Sequence, residues 1–245
     1  MLGGYAAITA TKAGVNIWLS MLVVAPLVVG VIGIAVERCV VRFLYGRMVD
    51  TMLATWGLSL LLIGLVTTVF GNTTSGISSP LGSMRVGGYT VSLYTLFIVG
   101  VAVAVGTATW IVLKRTRFGL IARGTMQNAG MAAALGVSPP RVYMVTFGIG
   151  ACLAGLAGGV LAPITGVVPT IGVAYVAKAF ITVIGGGAAI LTGTLSASVL
   201  FGAVNQLATF ATTPVLGEVA LLLSAIVLIR VLPQGITGRF FRGNL

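Results

Sequence analysis

The sequence predicts an all-α fold, a polytopic transmembrane helical bundle of about seven spans, and three observations carry that expectation. Hydrophobic residues make up 58% of the 245 positions and charged residues only 7%, with a mean hydropathy of +1.15, where a soluble domain holds about 25% charged residues. Apolar stretches recur at roughly the 20 residues that a helix needs to cross the hydrocarbon core. Eleven of the fourteen basic residues fall in three clusters, Arg38/Arg42/Arg47, Lys114 to Arg141 and Arg230/Arg239/Arg242. If every span crosses, parity puts all three on one side, as positive-inside sorting requires. The net charge of +11 therefore reads as membrane orientation and not as a nucleic-acid surface; the expected surroundings are lipid.

The spans follow in order. The first covers about 17 to 36 and ends at Glu37 and Arg38; the second covers about 50 to 70 and runs outward. Gly71 to Thr90 is polar and rich in small residues, too poor in apolar side chains to cross, and is expected to lie outside. The third span, about 91 to 113, returns to the basic stretch, and the fourth, about 142 to 162, leads out again until Pro163 and Pro169 break it. Residues 172 to 184, about 13 in all, carry Lys178 and end at Gly185-Gly186-Gly187, so a re-entrant or half-length helix and a full span both remain open. The last two spans cover about 188 to 209 and about 217 to 232, which leaves the C-terminus cytoplasmic. Met1 to Ala10 resembles the outer half of a span, and the expectation is that an N-terminal segment is missing.

Lys114 to Arg141 is the charged handle of this chain. Within it Gln127 to Leu135 reads as a two-turn helix of good helix formers, with Gly136 where a C-terminal cap belongs and Pro139-Pro140 unable to continue it. Met131, Ala132 and Leu135 give it an apolar character, Gln127 and Asn128 open it, and Arg123 and Arg141 flank it.

Few residues are suited to chemistry. There is no histidine, which removes the usual general base and metal ligand. Cys39 and Cys152 read as packing residues, and neither a catalytic set, a metal site nor a cofactor motif is expected. Glu37 and Asp50 bracket a basic loop and read as charge balance; Glu218 opens the last span, where a carboxylate suits a helix N-terminus. The scarcity of buried acids disfavours an ion-coupled carrier. Lys178 is the one ionisable group expected at membrane depth, and two readings stand: it faces a solute pathway, or its stem snorkels to the outer interface. Ala151, Gly155 and Gly159 form one small-residue stripe and Gly150, Ala154 and Gly158 another, the pattern by which membrane helices approach closely. Gly185 to Gly187 reads as a tight turn, since no Lys-Ser/Thr follows to make a phosphate loop.

Four stretches resemble the permease subunits of bacterial ABC importers for branched-chain amino acids and their relatives. They are MLGGY at the start, LATWGLSL at Leu53 to Leu60, RTRFGLIARGTMQNAGMAAALGV in the handle, and AFITVIGGGAAILTGT at Ala179 to Thr194. The resemblance implies one permease domain over 1–245, with 114–141 as cytoplasmic coupling loop and 71–90 as periplasmic loop, in the bacterial inner membrane. It also implies the partners: a second permease subunit, two cytoplasmic ATPase subunits that carry out ATP hydrolysis, and a periplasmic solute-binding protein. In such permeases the loop carries an EAA---G pattern whose short helix docks on the ATPase. Aligning on Gly136 puts Met131 and Ala132 at the alanines but Gly130 at the glutamate, a departure from that pattern.

Within that family, Thr125-Met126-Gln127-Asn128 is similar to the sequence before the coupling helix of urea-transporting members, and the end, from Gly202-Ala203-Val204-Asn205-Gln206 through Pro233-Gln234-Gly235 to Arg242-Gly243, resembles their closing pattern; Ala177-Lys178-Ala179-Phe180 is closer to the amino-acid branch. The expectation is ATP-driven import of a small polar solute, urea favoured. The alternatives are the same machinery importing branched-chain amino acids and a passive channel for a small neutral solute.

Overall fold

The computed structural model describes residues 1–78, 80–86, 89–187, 190–232 and 235; Ala188, Ala189, Pro233 and the basic tail with Arg239 and Arg242 lie outside these. Among the described residues six helices are long and apolar enough to cross a membrane, with Ile171–Gly186 as a further, shorter apolar helix. The chain is a multi-pass membrane protein. It divides into two compact units, Met1–Ile171 and Gly172–Leu245.

The first unit is built on small residues. α1 (Leu2–Lys12) packs on α8 (Pro139–Thr165), and α8 packs along α3 (Ala25–Cys39). Water supplies no drive for two apolar helices to associate within lipid, so their contact rests on close backbone approach. A Cβ on Gly155 would stand 2.8 Å from the Ala25 carbonyl oxygen, and one on Gly159 would stand 3.1 Å from that of Met21. A Cβ on Gly3 would overlap the Gly155 backbone itself. Of the two expected stripes, Ala151/Gly155/Gly159 lies in the α3 seam, and Gly158 meets α1 at Gly4; Gly150 faces open space.

The helix from Ile17 to Cys39 starts as a single turn, α2 (Ile17–Leu19), capped by the Asn16 side chain, and passes through a π-helical turn at Ser20–Val24. Pro26, which has no N–H to give the preceding turn, follows directly. Met21 and Ser20 are fully buried there. Tyr94, at the start of α5 (Leu93–Arg115), donates its hydroxyl to the Val160 carbonyl of α8 at 2.7 Å, a buried tie between ends of helices distant in sequence. Satisfying such a hydroxyl is worth about 1 kcal/mol net, and leaving it unpaired costs more.

α4 (Met48–Phe70) leaves most of its surface exposed, with Trp56 and Leu53 among the apolar side chains turned outward, as a helix bathed in lipid allows. Gly71 ends it at φ +77. The expected polar loop carries more order than its composition announced: β1 (Ser83–Val86) and β2 (Tyr89–Ser92) pair antiparallel, Val86 opposite Tyr89, and Ser75 bridges to Val167 beyond α8. The expected break at Pro163 is also corrected. α8 runs through it to Thr165 and ends at Gly166, φ +64. Only one hydrogen bond of the last turn is forfeited, and the tertiary ties at Val160 and Val167 hold the segment.

In the second unit, α9 (Ile171–Gly186) has 16 residues, three more than the sequence indicated. At 1.5 Å per residue it is about 24 Å long, short of the roughly 30 Å hydrocarbon core. α10 (Ile190–Ala211) and α11 (Pro214–Val231) form an antiparallel hairpin around Ala197, Phe201, Ala225 and Leu228. α11 begins at Pro214 and not near 217, because Thr213 caps it by accepting the Leu216 N–H. Gly185 of α9 lies against the Phe201 ring, where a Cβ would meet it at 2.8 Å. Gly187, at φ +76, turns the chain, as expected of the glycine run.

Candidate functional site

The basic stretch folds into two helices, not one. α6 (Arg117–Gln127) precedes α7 (Ala129–Ala134), and the expected single helix from Gln127 to Leu135 is corrected at its start. Asn128 is the reason: its backbone is extended (φ −151°, ψ 99°), and its Oδ1 accepts the Met131 N–H at 3.0 Å. It is an N-cap, which ends one helix and opens the next. Gln127 accordingly closes α6. α6 was missed by the sequence reading, although Thr116 accepts the Gly119 N–H as its cap. Its buried residues, Gly119, Ala122 and Thr125, fall three apart on one face. Three small residues are a weak hydrophobic signal, and the arginines obscure it.

The end of α7 agrees with the sequence. Gly136 stands at φ +84; its N–H reaches the Ala133 carbonyl, and that of Val137 reaches the Ala132 carbonyl. This is the paired closure of a Schellman motif, and it needs a left-handed residue at that position. Pro139 and Pro140 then start α8, supplying its first turn where a missing N–H is harmless.

The side chains sort sharply. Ala132 is buried, whereas Met131 is 66% and Leu135 81% exposed. Leu120 and Met126 of α6 are exposed as well. Arg123, whose Nε donates to the Gly119 carbonyl at 3.2 Å, and Arg141 are exposed on either side. The loop thus presents large apolar side chains on a short, capped scaffold rimmed by cations.

Neighbouring contacts fix the end of the unit on which this loop lies. Glu37, only 1% exposed, accepts a hydrogen bond from the Tyr45 hydroxyl at 2.6 Å, and Tyr45 packs at a tilt against Tyr143 of α8, 5.0 Å between ring centres. Glu37 is therefore a buried anchor and not a diffuse offset to the arginines. Arg47 and Asp50 do pair, at 3.8 Å on the surface. Partial burial, and then the Glu37 carboxylate that accepts its hydrogen bond, push the Tyr45 hydroxyl's ionisation above its ordinary value. Because Tyr45 touches the first turn of α8, the cluster Arg38/Arg42/Arg47 and the handle share one end of this unit, as parity required.

In the second unit Lys178 is not alone. Its Nζ donates to Glu218 Oε1 of α11 at 2.7 Å and stands 5.9 Å from the Tyr175 ring. Both side chains keep access, 42% for Lys178 and 62% for Glu218. In the sequence the two stand 40 residues apart; their opposite signs, the sole cation and the sole acid from Gly172 through Ile229, are the signal that joins them. Elsewhere, a concavity of about 470 Å³ opens beside α1, lined by Leu2, Tyr5, Thr9, Val28 and Phe70. Its hydroxyls are turned to backbone carbonyls, Tyr5 to Val167 and Thr9 to Tyr5, so it offers no convergent polar groups to a polar solute.

Comparison with known proteins gives a consistent result. Residues 1–232 match the family described as branched-chain amino acid transport system / permease component. A probable branched-chain amino acid transport permease protein LivH of Methanocaldococcus jannaschii is 25% identical over 97% of this chain and 80% of its own length. The high-affinity branched-chain amino acid transport system permease proteins LivH of Salmonella typhimurium and Escherichia coli K12 are each 31% identical over 54% of this chain; the matched part spans 43% of theirs. These relatives are transport permeases and not enzymes. No solved structure matches the chain.

Proposed function

The chain belongs to the permease components of branched-chain amino acid transport systems, and from that premise we propose that it forms part of the pathway of an ATP-driven importer, its α6–α7 loop gripped by ATPase subunits. The observation that carries this reading is the loop itself. Met131 and Leu135 stand exposed on a two-turn scaffold fixed at one end by Asn128 and at the other by Gly136. Large apolar side chains held rigidly in water are what a protein groove recognises, since their burial contributes about 25 cal/mol per Å² and little order remains to be imposed. Gln127, Asn128, Met131, Ala132, Leu135 and Gly136 make up the coupling element, with Arg123 and Arg141 at its rim.

The remaining parts follow from that assignment. Residues 1–245 act as one permease domain in the cytoplasmic membrane, the loop and the C-terminus inside and 71–90 outside. A second permease subunit completes the pathway, two ATPase subunits drive alternating access, and a solute-binding protein delivers the cargo from outside.

The solute in this reading is a branched-chain amino acid, not the urea that Thr125 to Asn128 favoured. That motif has local tasks: Thr125 is buried in α6 with its hydroxyl on the Ile121 carbonyl, and Asn128 caps α7. Residues so employed carry little information about cargo, and the names of the relatives speak for amino acids.

The test is uptake of labelled leucine and labelled urea by cells that express this chain with its partner subunits, before and after ATP depletion. ATP-dependent leucine uptake that collapses on Gly136→Trp is expected. Flux that ignores both ATP and Gly136→Trp returns the protein to the channel class, and ATP-dependent urea uptake without leucine uptake returns it to the urea branch.

A further inference from the structure

We propose that Lys178 and Glu218 form a head-group site for a zwitterionic α-amino acid, Lys178 taking the carboxylate and Glu218 the ammonium group; this rests on the permease reading above and names a site for its cargo. Ile181 and Gly185 follow Lys178 at three and seven residues, and Leu221, Ala225 and Leu228 follow Glu218 at three, seven and ten. Ile181 and Leu221 pack on the core of the unit, and Gly185 lies against Phe201. The two charges therefore sit on the same stripes by which α9 and α11 meet the Ala197, Phe201, Ala225 and Leu228 core, but beyond the apolar end of that seam.

At Gly185 the seam is shut by an aromatic ring, with Leu228 3.7 Å from where a Cβ would stand. Two helical turns away the partners are instead two long side chains meeting at 2.7 Å, each still open on its outer side. Lys178 is the sole cation and Glu218 the sole acid from Gly172 through Ile229. Charges in apolar helices face a cavity, a pathway or a partner, because facing hydrocarbon is costly.

The pair suits one class of ligand in particular. An α-amino acid carries opposite charges on two groups bonded to the same carbon, so it inserts beside an ion pair without adding net charge, and each of its charges meets its opposite. A ring of four alternating charges keeps every member paired with a charge-assisted hydrogen bond. Urea has no charge to offer either partner and leaves the pair closed. Val215 and Leu222, at three and four residues from Glu218 on the same helical face, are exposed and provide apolar surface for a branched side chain. Tyr175, one turn before Lys178 and also exposed, stands at the other side of the pair.

The test uses the assembled importer in membrane vesicles, with labelled leucine as the probe. The double variant Lys178→Met/Glu218→Leu is expected to co-purify with its partner subunits, since exchanging an ion pair for apolar side chains of similar volume is often neutral for folding. Its leucine uptake is expected to fall by about tenfold or more. Leucine uptake by that variant with an unchanged KM overturns the head-group site and leaves the permease reading standing. Failure of the unaltered importer to take up leucine overturns the permease reading's choice of cargo, and the site with it. A second measurement decides the matter even if the double variant does not assemble: in a Cys39→Ser/Cys152→Ser background, Tyr175→Cys is alkylated by a water-soluble thiol reagent. Leucine is expected to slow that alkylation several-fold and urea to leave it unchanged; equal rates with and without leucine overturn the proposal.

Discussion

The seam between α3 and α8 and the loop from α6 to α7 use side-chain size in opposite ways. In the seam the inward positions of α8 are Gly148, Ala151, Gly155 and Gly159, whose small size makes room for the α3 backbone and for Val29 and Ile34. In the loop the inward positions are again small, Gly119, Ala122 and Ala132, but the large residues Leu120, Met126, Met131 and Leu135 stand at the aqueous end of the unit. Outward bulk in a span meets lipid, where it costs nothing. In the loop the same bulk lies outside the spans, and on the proposed function a covering partner buries it. Small residues thus hold this protein together, and large ones mark what it touches.

Changes in the seam test the first half of that contrast and are expected to have the largest effect on stability. Gly155→Leu drives a branched side chain into the Ala25 carbonyl and Val29. Overpacking of this kind costs about 1–3 kcal/mol, and more where backbone blocks relaxation. The check is thermal stability in detergent, where a large drop or loss of monodisperse protein is expected; a wild-type profile would mean that the seam does not depend on small residues.

Tyr45→Phe comes next, at about 1 kcal/mol, because Glu37 is buried and loses its donor while water can enter at the exposed edge of Tyr45. The pH dependence has a defined sign. The folded Tyr45 ionises above its ordinary 10.0, so its stabilisation is complete below about pH 10 and declines as pH rises through the folded-state value. Alkaline unfolding followed by tyrosinate absorbance should show that decline in the unaltered protein and a smaller one in Tyr45→Phe.

Gly136→Ala and Asn128→Ala each remove one closure of α7, by left-handed strain and by loss of the cap, at about 1 kcal/mol apiece. They act on a surface element, so proteolysis near residue 136 should quicken while global unfolding stays nearly unchanged. The smallest effect on stability belongs to Met131→Ser and Leu135→Ser, within about 0.5 kcal/mol. If these are also silent in ATP-driven uptake, the second half of the contrast fails.

The sequence reading reached the spans because hydropathy over 20 residues is a sum that local errors do not disturb. It reached Gly136 because the left-handed end of a helix has few residue choices. It missed the break at Asn128, since a helical run of alanines on one side and arginines on the other hides a cap between them. The burial of Glu37 was also out of reach, because it depends on Tyr45 and Tyr143 arriving from other segments. The Lys178–Glu218 pair was legible only to a reading that paired distant charges by sign. Pro163 misled because a proline near a helix end forfeits a single bond, which tertiary ties readily offset.

The most direct measurement is site-specific cross-linking from Met131→Cys and Leu135→Cys to the ATPase subunits in the assembled transporter, with Gly150→Cys as the control within a span. Cross-links from both loop positions, modulated by ATP, and none from the control are expected. No cross-link from either loop position, in a complex that still imports leucine on ATP, would contradict coupling through this loop.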